Sequence, residues 1–446
     1  MGKSNKLEQI YIETYGCQMN VYDTQLVESI VCDAGHTLVN TVEAASVVML
    51  NTCSVRENAN TKVYNRIHTI RQLKRNQSVK IGVLGCMATN FKSTLLNDPK
   101  LTIDFIAGPD SYKQLPALID NCYDSKEKPF DVTLSEFETY SDVMPAQKSG
   151  VNAWLAIMRG CNNFCSFCVV PFTRGRERSR SAANIVEEVE RLVALGYEQV
   201  TLLGQNVNSY RDEHYDFADL MAIVSDVPGI KRIRFTSPHP KDFPEKLLHV
   251  IAGRDNICNQ LHMPLQSGNT ELLKKMNRPY TKEEFLGLLD TARAIIPNVS
   301  ISTDIIVGFP GETDAAFEDT ADVTRRAKFE KAYIFEYSPR ENTLANRRYP
   351  DDVTKAIKNQ RLQMLNVIQK ENRSQILLSQ VGQVQRILMD QATTKKGNDM
   401  AGRNESDTIV IVPEELSKSL AVGDWVDVEV TGATPLVLYG KPVKNE

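Results

Sequence analysis

The sequence predicts an α/β protein in three parts: an N-terminal α/β domain on a parallel sheet, a central partial (β/α)6 barrel, and a small all-β barrel at the C-terminus. Three observations predict it. Near-continuous apolar strands alternate with helices over the first 125 residues, the pattern of a parallel sheet covered on both faces. The same βα rhythm then recurs six times up to about residue 340, as in an incomplete barrel. Beyond residue 378 only short β runs separated by turns remain. The expected domain bounds are 7–125, 147–378 and 379–444.

In the N-terminal domain, strands are expected from Gln9 to Thr14, Ser46 to Asn51 and Val79 to Leu84, with helices over about 22–34 and 57–72. Cys17, Cys53 and Cys86 each fall within three residues of the C-terminal end of one of these strands. That edge of an open parallel sheet is where ligands bind. One cysteine in a turn is ordinarily a small hydrophobe. Three of them, brought to one edge by three βα turns, resemble the donor set of a three-thiolate iron-sulfur cluster with one iron open. Cys32, Cys122 and Cys258 fit no such pattern and are expected to be plain buried thiols. Residues 126–149 lose periodicity around Lys126-Glu-Lys-Pro129 and Met144-Pro-Ala146 and read as a linker.

Barrel strands are expected near 153–158, 199–203, 232–235, 257–262, 299–306 and 332–337, and the polar motifs gather at their C-terminal ends, where barrels do their chemistry. The first of these ends carries Arg159-Gly-Cys161-Asn-Asn-Phe-Cys165-Ser-Phe-Cys168, a CxxxCxxC triplet. Short cysteine spacings also suit zinc, but a structural zinc site closes its shell with four ligands. Three thiolates hold three irons of a cubane and leave the fourth open to chelate a small molecule. Directly afterwards, Thr173-Arg-Gly-Arg-Glu-Arg-Ser-Arg180 sets arginines at 174, 176, 178 and 180. A solvated turn is one reading of that run; its position beside the reactive centre favours phosphate contact. His239 and His262, at strand ends, are expected to be hydrogen-bonding neighbours of the site.

With 446 residues and 42% hydrophobic content the chain has ample apolar material for several cores. A net charge of −4 excludes a protein that coats nucleic acid indiscriminately, while leaving room for a local basic patch. A helix over about 353–378 leads into β runs near 384–389, 408–412, 425–430 and 436–438. Residues 376–446 hold seven basic and ten acidic residues, so any phosphate contact there falls to a subset such as Lys395, Lys396 and Arg403. The first ten residues are polar, and no apolar run nears the roughly 18 residues that span a bilayer, so a cytoplasmic protein without membrane contact is expected. Nine cysteines in such a chain point to metal or redox chemistry over disulfides.

The cysteine turns at 17, 53 and 86, the CxxxCxxC barrel and the terminal β module with Val422-Gly-Asp-Trp-Val-Asp-Val-Glu-Val-Thr431 coincide in one chain. Over essentially its whole length it resembles the radical S-adenosylmethionine (SAM) methylthiotransferases, which join a methylthiotransferase domain, a radical SAM core and a TRAM domain. Asn51-Thr-Cys-Ser-Val-Arg-Glu-Asn-Ala59, Leu203-Gly-Gln-Asn-Val-Asn208 and Phe235-Thr-Ser-Pro-His-Pro-Lys-Asp242 are similar to the bacterial branch that acts on N6-dimethylallyladenosine beside the anticodon of tRNA. The resemblance implies two 4Fe-4S clusters, one on Cys17, Cys53 and Cys86 and one on Cys161, Cys165 and Cys168. One SAM donates a methyl group to sulfur at the first; another yields a 5′-deoxyadenosyl radical at the second, and adenine C2 exchanges hydrogen for methylthio. Analogy with other radical SAM barrels implies SAM contacts from Gly204, Gln205 and Ser237 at the methionine amino group. It likewise implies Arg278 at the carboxylate and Gln266 and Asp304 at the ribose. Gly204-Gln-Asn206 departs from the Gly-Gly-Glu often found at that turn.

The implied partners are a tRNA anticodon stem-loop, held through Arg174, Arg176, Arg178 and Arg180, and an electron donor such as flavodoxin or ferredoxin; a monomer is expected. Two other readings compete. The same chemistry could act on threonylcarbamoyladenosine or on a ribosomal-protein aspartate, against which the residues after Cys53 speak. A non-catalytic iron-sulfur RNA-binding protein leaves the polar strand ends of the barrel unexplained.

Overall fold

The computed structural model describes residues 7–54, 57–75, 78–147, 150–392 and 397–443. The N-terminal domain is a six-stranded parallel sheet in the order Thr37–Leu38, Gln9–Thr14, Val47–Thr52, Lys80–Gly85, Phe105–Ala107, Phe130–Asp131. The three long strands lie within a residue of expectation; the three short ones carry too few apolar residues to announce themselves. Val47–Thr52 is buried at every position, as a central parallel strand covered on both faces must be. Because Gln9–Thr14, Val47–Thr52 and Lys80–Gly85 are lateral neighbours, the turns bearing Cys17, Cys53 and Cys86 emerge side by side. The first helix, Gln18–Asp33, starts four residues before the expected position because Cys17, in extended backbone, is itself the residue preceding its first turn.

The central region holds two three-stranded parallel sheets. Asn152–Ala156, Gln199–Leu203 and Arg232–Phe235 form one, and Gln260–His262, Ser300–Val307 and Lys331–Glu336 the other. A parallel bridge between Ile233 and Ile257 joins them, giving six strands in sequence order with an open seam between first and last. This is the expected partial barrel. The helix Gln18–Asp33 packs on its first strand, and the apolar core of the N-terminal domain runs into it through Ala156 and Leu203.

Residues 126–147 are structured, contrary to their linker composition. Phe130–Asp131 completes the first sheet, and Tyr140 is fully buried, its hydroxyl donating to the Pro109 carbonyl (3.0 Å) and accepting from Tyr112 N–H (2.9 Å). Proline and lysine made the segment look free; one buried tyrosine ties it down.

After the helix Lys355–Leu378 the chain closes a five-stranded barrel in the order Val384–Gln391, Met400–Arg403, Ile409–Val412, Leu438–Pro442, Trp425–Ala433. The unexpected strand reads Met-Ala-Gly-Arg, without the β-branched residues that mark strands. This small barrel docks on the N-terminal ends of the large barrel's strands, at the opposite end from the cysteine loop. Arg234 donates to the carbonyls of Asn404 (2.6 Å) and Glu405 (2.8 Å), and Arg232 donates to Arg403 O (2.9 Å) while stacking on Trp425 at 4.5 Å. Lys331 pairs with Asp407. Arg403 is held by Asp390 and Asp407 and is not free for phosphate; Lys395 and Lys396 lie outside the described residues. Among the described residues no helix is long and apolar enough to cross a membrane.

Arg234→Ala leaves the buried Asn404 carbonyl and the half-buried Glu405 carbonyl without a charged donor, and we expect it to lower the unfolding free energy of the full chain by about 2–3 kcal/mol. Urea unfolding measures this. An unchanged midpoint would show that the docking is not held by these bonds.

Candidate functional site

The N-terminal cysteine edge is drawn together by two asparagines. Asn20 donates to Asn51 Oδ1 (3.3 Å) and to the Thr52 carbonyl (3.1 Å), while Asn51 donates to Asn20 O (2.9 Å) and Thr24 Oγ1 (2.9 Å). Cys17 Sγ lies 3.4 Å from Asn20 Oδ1. Two glycines allow the close approach. A Cβ on Gly16 (φ +142°) would sit 2.6 Å from Cys53 Cβ, and one on Gly85 (φ +86°) 2.5 Å from the Thr52 carbonyl oxygen. Only glycine tolerates both the backbone and the crowding.

Cys53 and Cys86 are buried and Cys17 is exposed. A hydrogen bond shared with Cys53 and the charge of Arg174 bring the Cys17 thiol down to about 6. Burial pushes Cys86 up, against the pull of Arg174. In the barrel loop, burial raises Cys161 to about 11 and Cys168 to about 12. Within each triad the thiols act on one another's ionisation, although among the described residues no three side chains close on a single metal ion. Each triad supplies three free cysteine thiols from neighbouring turns or a single loop, the donor type an iron-sulfur cluster takes as thiolate.

The barrel loop is braced from outside. Cys161 N–H donates to Gly175 O (3.1 Å), and Asn277 Nδ2 donates to the carbonyls of Asn163 and Phe164, both at 3.0 Å. Phe164 adopts φ 48°, uncommon for a bulky residue, and its ring lies 6.3 Å from Phe172 in an edge-on contact.

The arginine run is corrected by the structure. Arg174, Arg178 and Arg180 are buried: Arg174 pairs with Asp23 (2.7 Å), Arg178 with Asp110 (2.9 Å) and Arg180 with Glu188 (2.6 Å). Arg159 completes the first pair from the other side, at 2.7 Å from Asp23. Burial alone would raise the Asp23 carboxyl, but Arg174 and Arg159 outweigh it and hold it down. These three arginines therefore join the two domains and do not face phosphate. Arg176 alone of the run is exposed, lying over the Phe164 ring at 4.4 Å. Arg347, which the sequence reading missed, lies over Phe172 at 5.9 Å.

The residues expected around SAM lie at the same end of the barrel. Gln205 accepts from Gly160 N–H (2.6 Å) and so faces the cysteine loop. Gly204 packs on Met158, and Ser237 takes a positive φ of 60°. Arg278, expected at a carboxylate, donates to Tyr280 OH (2.8 Å) and Pro264 O (2.7 Å) and reaches Cys165 Sγ at 3.6 Å. Gln266 is buried with φ 65° and does not cap the next helix, a task performed by Asn269. Asp304 meets His262 Nε2 at 3.2 Å, and His262 Nδ1 meets Ser302 at 2.9 Å, a hydrogen-bonding role as expected. Burial, with Arg278 and Lys241, depresses His239 to about 2, so its ring stays neutral; its buried Nε2 has no partner among the described residues. Cys122 and Cys258 are buried as expected, whereas Cys32 is exposed.

Residues 9–108 match the Uncharacterized protein family UPF0004, residues 155–324 the Radical SAM superfamily and residues 378–443 the TRAM domain. The chain is 43% identical to the tRNA-2-methylthio-N(6)-dimethylallyladenosine synthase of Chloroherpeton thalassium, covering 98% of this chain and 96% of that protein. It is 41% identical to the synthase of Porphyromonas gingivalis over 99% of this chain and 96% of that one. Identity to the mitochondrial tRNA methylthiotransferase CDK5RAP1 of Mus musculus is 39%, over 99% of this chain and 81% of that one. Among solved structures, the radical S-adenosylmethionine methyltransferase TsrM of Kitasatospora setae, with cobalamin and a [4Fe-4S] cluster bound, matches at TM-score 0.59 and 14% identity, over 76% of this chain and 74% of that one, a likeness of fold. SAM and 4Fe-4S clusters are the cofactors of such enzymes, and the two triads are donor sets suited to the clusters. The chain belongs to the family of the tRNA-2-methylthio-N(6)-dimethylallyladenosine synthases, radical SAM enzymes that methylthiolate tRNA.

Proposed function

We propose that this chain replaces the C2 hydrogen of N6-dimethylallyladenosine beside a tRNA anticodon with a methylthio group, using one 4Fe-4S cluster on Cys161, Cys165 and Cys168 and a second on Cys17, Cys53 and Cys86. The observation that carries the reading is the meeting of both triads at one domain seam, with Arg174 reaching from the barrel loop to Cys86. When bound, the clusters and SAM supply the radical that removes an unactivated aromatic hydrogen and the methylthio sulfur that replaces it, chemistry no side-chain base performs at neutral pH.

The chain's own residues bind and orient. Gln205 fixes the cysteine loop through Gly160, and Arg278 steadies Cys165. With SAM bound, Gly204 and Ser237 would flank its methionine end, and Gln266 with Asp304 would serve the ribose hydroxyls. His239, neutral and with Nε2 unpartnered among the described residues, offers one further hydrogen bond into the barrel. At the open seam Tyr333 and Phe335 stand exposed on the last strand, Tyr333 against the His262 ring, and give the prenyl chain an apolar wall.

RNA contact passes to Arg176 and Arg347. Both lie over phenylalanines beside the cysteine loop, and among the described residues neither has a carboxylate partner. An RNA touching both this face and the TRAM barrel must run the length of the large barrel, about 20 Å for a six-residue strand. That span suits a tRNA better than a single protein side chain. A protein electron donor of the flavodoxin or ferredoxin type serves the clusters, and the chain works as a monomer in the cytoplasm.

Cys165→Ala is expected to abolish deoxyadenosine release from SAM and to lose the iron of one cluster, whereas Cys53→Ala loses the other cluster's iron, still cleaves SAM and forms no methylthio product. Normal methylthiolation by Cys53→Ala would overturn the two-cluster assignment.

Replacing Arg176 and Arg347 together with Gln is expected to weaken tRNA binding and reduce the slope of log affinity against log salt by roughly 0.7–0.9 per lost phosphate contact. Cluster absorbance and melting temperature check that the variant is folded and loaded. An unchanged slope removes both residues from the RNA interface.

In a side-by-side assay, an anticodon stem-loop carrying dimethylallyladenosine is expected to turn over well ahead of unmodified and threonylcarbamoylated RNAs, since burying the prenyl group contributes about 0.8 kcal/mol per methylene. A preference for the threonylcarbamoylated RNA contradicts the substrate and leaves the chemistry standing.

A further inference from the structure

We propose that Arg174 is a positioning residue that fixes Cys86 and raises the reduction potential of the iron-sulfur cluster held by Cys17, Cys53 and Cys86, a proposal that rests on reading that triad as a cluster site. Arg174 belongs to the barrel, six residues beyond Cys168. Its side chain nonetheless crosses the domain seam. Nε donates to Cys86 Sγ at 3.2 Å, and Nη2 donates to Asp23 Oδ2 at 2.7 Å. The third nitrogen, Nη1, is buried and finds no acceptor among the described residues.

A buried donor left unpaired is costly, yet Arg159 on the other side of Asp23 also leaves Nε and Nη1 unpaired among the described residues, so what sets Arg174 apart from it is the donor spent on a thiol. Nε is spent on that thiol, and Nη1 has no acceptor among the described residues. Sulfur on the cluster side would give Nη1 one. Asp23 cannot release the group, because its other oxygen is taken by Arg159 at 2.7 Å, so the guanidinium is clamped in place. The clamp also explains why the residue is arginine: a planar fork can serve Asp23 and Cys86 at once, which a lysine's single nitrogen cannot do with the same geometry.

The consequence for redox chemistry follows from charge. Reduction adds one electron to the cluster, and both a hydrogen bond to a ligating sulfur and a nearby cation favour the more negative state. Burial strengthens the effect, because little water lies between the charges to screen them. Arg174 also acts on Cys17, so its charge is felt by two of the three ligands. Arg278 stands near Cys165 in the other triad, but at 3.6 Å and with its remaining donors satisfied by Tyr280 and Pro264, whereas Arg174 meets Cys86 at 3.2 Å.

The test uses the full chain with Cys161, Cys165 and Cys168 replaced by Ala, so that only the N-terminal triad can load. Iron and sulfide content and the midpoint potential, from an EPR-monitored redox titration, are compared for the protein with Arg174 intact, R174K and R174Q. We expect all three to load one cluster, with the potential of R174Q shifted to clearly more negative values and that of R174K between the other two. A loaded R174Q whose potential equals that of the protein with Arg174 intact overturns the proposal and leaves Arg174 a strut. Should R174Q fail to fold, R174K carries the test: it keeps the charge but loses the fork, and an unshifted potential overturns the proposal in the same way. Failure to load with Arg174 intact instead overturns the assignment of Cys17, Cys53 and Cys86 as cluster ligands, a distinct result.

Discussion

One buried carboxylate, Asp23, holds the two halves of this protein in register. It sits on the first helix of the N-terminal domain, six residues beyond Cys17, and accepts from Arg159 and Arg174, which bracket the barrel's cysteine loop on either side. Ion pairs taken out of water add little net stability, but losing one partner strands a charge in the interior at a cost of several kcal/mol. A seam built this way tolerates one arrangement and penalises its neighbours. Tyr22 and Glu188 around Arg180, and Asp110 around Arg178, repeat the device along the same boundary. The apolar core passes through it without a break at Ala156 and Leu203.

That register decides what the molecule can do. The turns bearing Cys17, Cys53 and Cys86 leave three adjacent parallel strands, and the barrel loop bearing Cys161, Cys165 and Cys168 leaves the first barrel strand. Once Asp23 fixes the seam, the two edges share a border along which Arg174 touches Cys86. Chemistry that draws a radical from one cluster and sulfur from another needs such a border, since a reactive intermediate has to be used where it forms. The small C-terminal barrel is kept away from it, plugging the opposite end of the large barrel through Arg232, Arg234 and Lys331. It leaves the reactive face open to a substrate as large as a tRNA.

Much of this was legible in the sequence, for reasons that can be named. The long parallel strands are continuous apolar runs, and the six cysteines fall at strand ends, where local pattern and function coincide. What escaped depends on partners distant in the chain. Four alternating arginines look like a phosphate contact to any local reading, and only folding reveals that Asp23, Asp110 and Glu188 neutralise three of them. Residues 126–147 read as a linker because nothing local marks Tyr140 for burial beneath Tyr112. The strand Met400–Arg403 lacks the residue types that announce strands, and Asn20 and Asn51 are polar residues whose use emerges only when their turns meet. Arg347, far from the cysteine motif in sequence, comes beside it through the contact of its guanidinium with Phe172.

The central claim is that two iron-sulfur clusters face a single seam, one on each triad. An iron anomalous-scattering map from crystals of the anaerobically reconstituted protein tests it most directly. We expect two separate peaks, one enclosed by Cys17, Cys53 and Cys86 and one by Cys161, Cys165 and Cys168, with Arg174 between them and its Nη1 turned toward the first. A single peak at the barrel loop, with the N-terminal thiols free of metal, would contradict it.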